Sequence, residues 1–237
     1  MVITFILVNP AVPENIGASA RAMNTMGVQD LRLVNPGEYL NDRARMLAHG
    51  SHHILEKASV YSSLSEAIQD VDFVIGTTAK KRSAKEDYYP AERLSEYLRK
   101  KGETISRIAL IFGREESGLT NDEITHCDLV SSIPMNASYP SLNLSQAVMI
   151  YAYLLSEFSQ TQGKKSGRND QPPSYPHLKE KVEKILGQTR IKENMTLYNR
   201  ILERLVLLEE DDIHLLHSIT EELLILTKNR GTSNFCE

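Results

Sequence analysis

The chain of 237 residues contains no tryptophan and only two cysteines, and aromatic residues make up 6% of it. Cys127 and Cys236 show neither zinc-like nor redox-like spacing, and a single possible pair is no disulfide framework, so two reduced thiols are expected. Long apolar runs are also missing. The one near the start, Ile3 to Val8, is too short to cross a bilayer and lacks the basic flank and cleavage site of a signal peptide. A cytoplasmic protein with no membrane segment is therefore expected. A surplus of positive charge is absent as well, the formal net charge being −4, which argues against a general nucleic-acid coat. Only local basic clusters remain: Lys80-Lys81-Arg82 with Lys85, Arg99-Lys100-Lys101, and Lys164-Lys165 with Arg168. The first of them directly follows an apolar run. The seven histidines lack carboxylates or cysteines at ligand spacing, so no metal is expected. There is no Gly-x-Ser-x-Gly elbow, no Walker loop and no Gly-x-Gly-x-x-Gly after the first apolar run, which disfavours hydrolase, triphosphatase and dinucleotide-binding chemistry.

What is present is an alternation of short apolar runs and helix-like stretches. Ile3–Val8, Leu31–Val34, Val71–Ile75, Ile108–Phe112 and Leu129–Ile133 read as strands. Asn15–Met26 reads as a helix stopped by Gly27, Leu64–Ile68 as a short one and Ala91–Lys101 as a charged amphipathic one, and Asn121 opens another with Asp122 and Glu123 in its first turn. Such alternation predicts an α/β fold with a mostly parallel, doubly covered sheet. Leu142–Phe158 follows as a long apolar helix suited to the sheet or to another subunit. The composition then shifts to Gln, Gly, Lys, Ser, Asn and Pro over 160–176, which predicts a linker. His177–Leu186, Glu193–Leu208 and Asp211–Asn229 read as helices, the last with an apolar stripe of Leu215, Leu216, Ile219, Leu223 and Leu226 that needs a partner or the main domain to cover it. The expected organisation is a main domain over 1–158, a linker over 159–176 and a helical extension over 177–237.

Three polar, glycine-containing segments lie at the edges of apolar runs: Asn9–Arg21, Ile111–Thr120 and Ile133–Leu144. Loops that follow strands gather at one edge of an α/β sheet, so these three can share a pocket. Small residues in Gly76-Thr77-Thr78-Ala79, at Gly113 and over Ser138–Asn143 would let backbone groups approach a flat ligand such as an adenosine moiety. Gly113 is also open to a simpler role as chain punctuation. Arg21 lies among small side chains on the first helix and can reach over the strand ends, or form an ordinary helix-face salt bridge.

Together the Glu14-Asn15-Ile16-Gly17 to Arg21 run, the Phe112-Gly113-Arg114-Glu115 to Asn121 run and Pro140-Ser141-Leu142-Asn143-Leu144 resemble the three motifs of the SPOUT superfamily of RNA methyltransferases, in its ribose 2'-O-methylating branch. Order and spacing agree over about the first 158 residues. Ala22–Gly27, Leu33-Val34-Asn35-Pro36 and the helical extension are most similar to the TrmJ subfamily or its TrmJ-like paralogue group. The resemblance implies a trefoil knot at the carboxyl end of the sheet, a homodimer with active sites at the subunit interface, and S-adenosylmethionine as cofactor. It places Thr77, Thr78, Ala79, Gly113, Ile133, Pro140, Ser141 and Leu142 around that cofactor. It implies Arg21 and Ser141 as catalytic, and Asn15, Lys80, Arg82, Arg114, Glu115 and Asn143 as substrate-binding. An arginine is a poor base at neutral pH, so Arg21 is expected to stabilise the developing alkoxide and hold a phosphate, with Ser141 orienting Arg21 or the ribose. Where TrmJ proteins often carry an arginine after the Gly-Thr pair this chain has Lys80, which keeps the charge but not the bidentate fork. The implied substrate is tRNA, at pyrimidine nucleotide 32 of the anticodon loop. The alternatives are ribosomal RNA, or a silent RNA-binding assembly factor on the same fold.

Overall fold

A computed structural model describes residues 1–79, 88–136, 141–159 and 174–232. The chain forms two compact units: Met1–Tyr97 with Ser106–Lys165, and Leu98–Ile105 with Ser166–Glu237.

The first unit opens with β1 (Val2–Val8), α1 (Pro13–Thr25) and β2 (Asp30–Val34). There follow α2 (Asp42–Ala48), α3 (His52–Lys57), β3 (Ser59–Tyr61), α4 (Leu64–Ala67), β4 (Phe73–Thr77), β5 (Tyr89–Pro90) and α5 (Leu94–Lys100). β6 (Arg107–Phe112), α6 (Asn121–Thr125), β7 (Leu129–Ser132), α7 (Leu144–Leu154) and α8 (Ser156–Ser159) complete the order. All seven strands pair in parallel, in the order β3-β2-β1-β6-β4-β7-β5. Buried on both faces, such strands must be nearly continuous in apolar residues, as β1 is apart from Thr4 and β6 is after Arg107. Alternate residues serve opposite layers. Ile6, Val8, Val74, Ala109 and Ile111 pack with Leu64, Ala67 and Ile124, from α4 and α6. On the other face, Phe5 meets Phe112 in a tilted contact at 5.3 Å and Phe112 meets Tyr151 of α7 edge-on at 5.7 Å, while Phe73 meets Tyr97 of α5 at 6.0 Å.

The predicted parallel sheet is present, with two strands and two helices that the sequence does not announce. β3 is a three-residue edge strand and β5 only two residues, both too short to carry a period. α2 and α3 are short and half-polar, and α2 is held by α1. At Gly17 a Cβ would lie 2.0 Å from Ala44 O, so only glycine admits this helix approach. The amphipathic stretch expected over Ala91–Lys101 begins as a 3-10 turn after Pro90 before α5 proper. The long helix expected from Leu142 starts instead at Leu144, because Asn143 caps it in a reciprocal box with Gln146, and it breaks at Leu155 into α7 and α8.

The strand order bears on the expected knot. Ser131 of β7 is in register with both Thr77 of β4 and Tyr89 of β5, so the connection 78–88 starts and ends beside the exit of β7. The threading itself depends on 80–87 and 137–140, which lie outside the described residues.

The second unit contains α9 (Tyr175–Gly187), α10 (Met195–Val206) and α11 (Glu210–Thr232). α9 starts two residues inside the expected linker, since Pro176 fits the first turn of a helix, where no amide donor is needed; residues 160–173 lie outside the described residues. Lys101 is 1% exposed and donates to Val206 O at 2.6 Å and Leu208 O at 2.7 Å, capping α10, with Tyr175 4.9 Å beneath its ammonium. α11 turns Ile213, His217 and Thr220 inward; of its apolar stripe Leu215, Ile219, Leu223 and Leu226 are exposed and Leu216 is half-buried.

Candidate functional site

In the sheet order, β1 is flanked by β2 on one side and β6 on the other, so chain direction across the sheet reverses between β1 and β6. Ligands of open α/β sheets bind beyond the strand carboxyl ends at such a reversal. Here Leu7 of β1 is level with Phe112 of β6, which brings the segments after both strands side by side.

Glu115 joins them. Its carboxylate accepts from the backbone N–H groups of Ala11 (3.0 Å) and Val12 (3.2 Å) and from Asn15 Nδ2 (3.0 Å). Asn15 Oδ1 in turn accepts from Asn143 Nδ2 at 2.8 Å. One hydrogen-bond chain thus links all three segments singled out in the sequence. Burial pushes the Glu115 carboxyl up, but the donors of Asn15, Ala11 and Val12 outweigh it and hold the group below its ordinary value. Asn143 also caps α7, accepting from Ser145 N at 2.9 Å, so the same amide sets where that helix begins.

Arg114 is engaged within the protein. Both of its terminal nitrogens reach Glu123 at 3.0 Å, and one also donates to Asn9 Oδ1 at 2.9 Å. Asn9 holds a positive φ of 47°, tolerated by asparagine, and this aims its side chain from the end of β1. Glu123 also closes the capping box of α6 with Thr120. Burial raises the Glu123 pKa, and its bonds with Arg114 and Thr120 bring it below the usual range. The guanidinium of Arg114, expected at a phosphate, braces the turn after β6 against β1 through Glu123 and Asn9 and also lines the cavity. Neither Asn9 nor Glu123 is signalled by sequence spacing; only the helix-start pattern Thr120 to Glu123 hints at the latter.

Beside this network lies a cavity of about 410 Å³. Thr77, Thr78 and Ala79 after β4, Gly113 after β6, Ile133 after β7, and Ser141 with Leu142 all line it. Pro140, Lys80 and Arg82 lie outside the described residues. Arg114 and Glu115 reach the cavity wall, while Asn15 and Asn143 stand behind Glu115. Tyr151, Ala147 and Leu144 of α7 close one side, a helical i, i+3, i+7 face that the apolar run conceals among other apolar positions. The Tyr151 hydroxyl donates to Ser131 Oγ at 3.1 Å, and burial keeps the phenol protonated.

The lining suits a flat, adenosine-bearing ligand. Thr77 Oγ1 donates to Ile111 O at 2.9 Å and Thr78 N to Ser131 O at 3.0 Å, which ties the start of the wall after β4 to β6 and β7. A Cβ on Gly113 would lie 2.1 Å from Gly118 C, which makes glycine essential to the tight 113–118 turn as well as to the wall. The volume falls within the range of small-molecule sites. Arg21, two turns into α1, is exposed, makes no side-chain hydrogen bond or ion pair among the described residues, and is not part of this lining. Among the described residues no group of three His, Cys, Asp or Glu side chains is placed to hold a metal, and no helix is long and apolar enough to cross a membrane.

Known proteins share this architecture. The family profile of the SpoU rRNA Methylase family matches residues 2–153, and that of the tRNA/rRNA methyltransferase LasT C-terminal domain matches 173–225. The tRNA/rRNA methyltransferase LasT of Escherichia coli strain K12, itself described as uncharacterized, is 41% identical over 223 residues, covering 94% of this chain and 97% of that one. The tRNA (cytidine-2'-O-)-methyltransferase TrmJ of Methanocaldococcus jannaschii is 40% identical over 157 residues, 65% of this chain and 66% of its own length. The crystal structure of TrmJ from Z. mobilis superposes with a TM-score of 0.64 at 28% identity, covering 94% of this chain and 99% of that one. A switch-point cavity joined to three tethered motifs, on a chain matched along most of its length, identifies the protein as a member of the SpoU methylase family, a TrmJ-like branch of the SPOUT RNA methyltransferases that use S-adenosylmethionine.

Proposed function

We propose that this protein methylates the ribose 2'-hydroxyl of tRNA, at pyrimidine nucleotide 32 of the anticodon loop. The observation that carries the reading is the Glu115–Asn15–Asn143 chain, which fixes three strand-end segments around one cavity. The tRNA substrate is supported by the 40% identity to a tRNA (cytidine-2'-O-)-methyltransferase.

Thr77, Thr78, Ala79, Gly113, Ile133, Ser141 and Leu142 would hold S-adenosylmethionine, with Pro140 beside them in sequence. When bound, that group supplies an electrophilic methyl on a sulfonium. The residues of this chain then have to align a hydroxyl and manage one proton, and alignment by itself accounts for a large part of such accelerations. Arg21 stabilises the developing alkoxide and grips the neighbouring phosphate; a phosphate oxygen or water takes the proton. Ser141, on the cavity wall, orients Arg21 or the ribose. Arg21 is not among the described residues that line the cavity of its own subunit, which supports a homodimer in which a second copy brings it there.

Incubation with labelled S-adenosylmethionine and unmodified tRNA, in parallel with ribosomal RNA, tests the reading. Methyl incorporation at nucleotide 32 is expected. The matching profile's description as an rRNA methylase favours ribosomal RNA as the second reading, and methylation of that RNA alone would replace the first. Cofactor binding without transfer to either RNA would point to a silent assembly factor.

A further inference from the structure

Among the described residues, the turn after β6 carries every charged side chain on the cavity wall: Arg114, Glu115 and Glu116. The rest of that lining is neutral, from Thr77 and Ala79 to Leu142 and Tyr151. Arg114 is engaged by Glu123 and Asn9, and Glu115 by Ala11, Val12 and Asn15. Glu116 differs. It stands at the tip of a hairpin that Arg114 and Gly118 close by reciprocal N–H to carbonyl bonds of 3.2 and 2.9 Å. It is exposed and makes no hydrogen bond or ion pair among the described residues.

S-adenosylmethionine brings charges that a neutral wall cannot answer: a sulfonium, and an ammonium and a carboxylate on its amino-acid end. With the cavity read as the site of that cofactor, we propose that Glu116 binds the α-ammonium, so that the amino-acid end lies against the 113–118 turn and the adenine takes the neutral remainder of the wall. An ammonium donating to a carboxylate is among the stronger hydrogen bonds. The sulfonium is the poorer partner. Its charge disappears as the methyl leaves, so a carboxylate against it would stabilise the bound cofactor more than the transition state and slow transfer. The ammonium keeps its charge throughout, and binding it favours neither state. An RNA phosphate would be repelled by the same carboxylate.

Calorimetric titration of the full chain with three ligands tests the assignment. S-adenosylmethionine carries both positive groups, S-adenosylhomocysteine keeps only the ammonium, and methylthioadenosine has neither. Glu116→Gln removes the charge at an exposed position. It should weaken S-adenosylmethionine and S-adenosylhomocysteine by the same factor of about ten, and leave methylthioadenosine, read by displacement where it binds weakly, within about twofold of the parent. The proposal is overturned if S-adenosylhomocysteine stays within about twofold of the parent. It is also overturned if methylthioadenosine weakens as much, which means a general disturbance of the wall, or if only S-adenosylmethionine weakens, which puts the carboxylate on the sulfonium. Ala147→Phe separates this from the cavity assignment, since a ring on the α7 side of the wall should block all three ligands. Parent-like binding by Ala147→Phe places the cofactor elsewhere and ends both readings; a block there with no effect of Glu116→Gln ends only the role of Glu116.

Discussion

Glu115 satisfies two backbone N–H groups and one amide from a segment about a hundred residues away in sequence. Glu115→Gln replaces an acceptor oxygen with a donor facing those groups. It should lower stability by about 0.5–1.5 kcal/mol in urea unfolding, because hydrogen bonds from exposed backbone and a part-buried amide are lost. It should also loosen Asn15 and with it Asn143, so cofactor affinity should fall along with turnover. Arg21→Ala is expected to behave differently. With no side-chain hydrogen bond to lose among the described residues, it should leave cofactor affinity within twofold of the parent and stability nearly unchanged while transfer drops by about 100-fold or more, the usual cost of removing one donor to a developing oxyanion. Parallel loss of both properties in a calorimetric and single-turnover comparison would make Arg21 structural. At this scale the sequence is only partly legible. Glu115, Asn15 and Asn143 stand out as polar residues at strand ends, but their contact does not, since it spans 100 and 128 positions along the chain. Arg114 shows the limit: its type suggests phosphate, and only coordinates reveal Glu123 and Asn9 around it.

Helices and strands depend on a few contacts at their ends. Gly17→Ala would press a methyl onto Ala44 O, separating α1 from α2; a loss of about 1–3 kcal/mol in thermal unfolding is expected, the scale of overpacking. Because Arg21 rides on α1, turnover should fall further than stability alone explains. In the second unit, Lys101→Met keeps the aliphatic bulk but strips the donors from Val206 O and Leu208 O, and should destabilise α10 by about 1.5–3 kcal/mol. Hydrogen exchange confined to that unit is the readout; uniform loosening of the sheet would contradict the cap. The predicted strands with strong apolar runs are all present, since a central parallel strand must be apolar on both faces. β3, β5 and the turn opening α5 escaped because two or three residues have no period to read, and their neighbours rather than their own propensities hold them.

Acid should affect the two units at different pH. Asp70, held by hydrogen bonds from Arg32 despite burial, joins Glu115 and Glu123 in having a depressed pKa. The unfolded carboxyls take up protons first, so this stabilisation is whole above their ordinary range of about 4 and is lost as pH falls through the lower folded values. His217 is lowered mainly by burial and then by the charge of Lys181, despite the Ser174 carbonyl. Its folded form resists protonation, so its contribution is whole above about pH 6.5 and declines as pH falls toward the folded value. Pulsed hydrogen exchange should therefore show α9 and α11 losing protection between neutral and mildly acid pH while the sheet persists to below pH 4. Loss of both together would refute the order, and His217→Gln should remove the early phase. The sequence alone determined a parallel α/β sheet and three strand-end segments that can carry chemistry, because burial on two faces and tight turns leave local marks in residue type. The tertiary structure decided which of those residues touch, that Arg114 is braced, that Arg21 lies away from its own cavity, and which face of α11 is left open. Those outcomes depend on partners distant in sequence, and no local pattern records a distance across the fold.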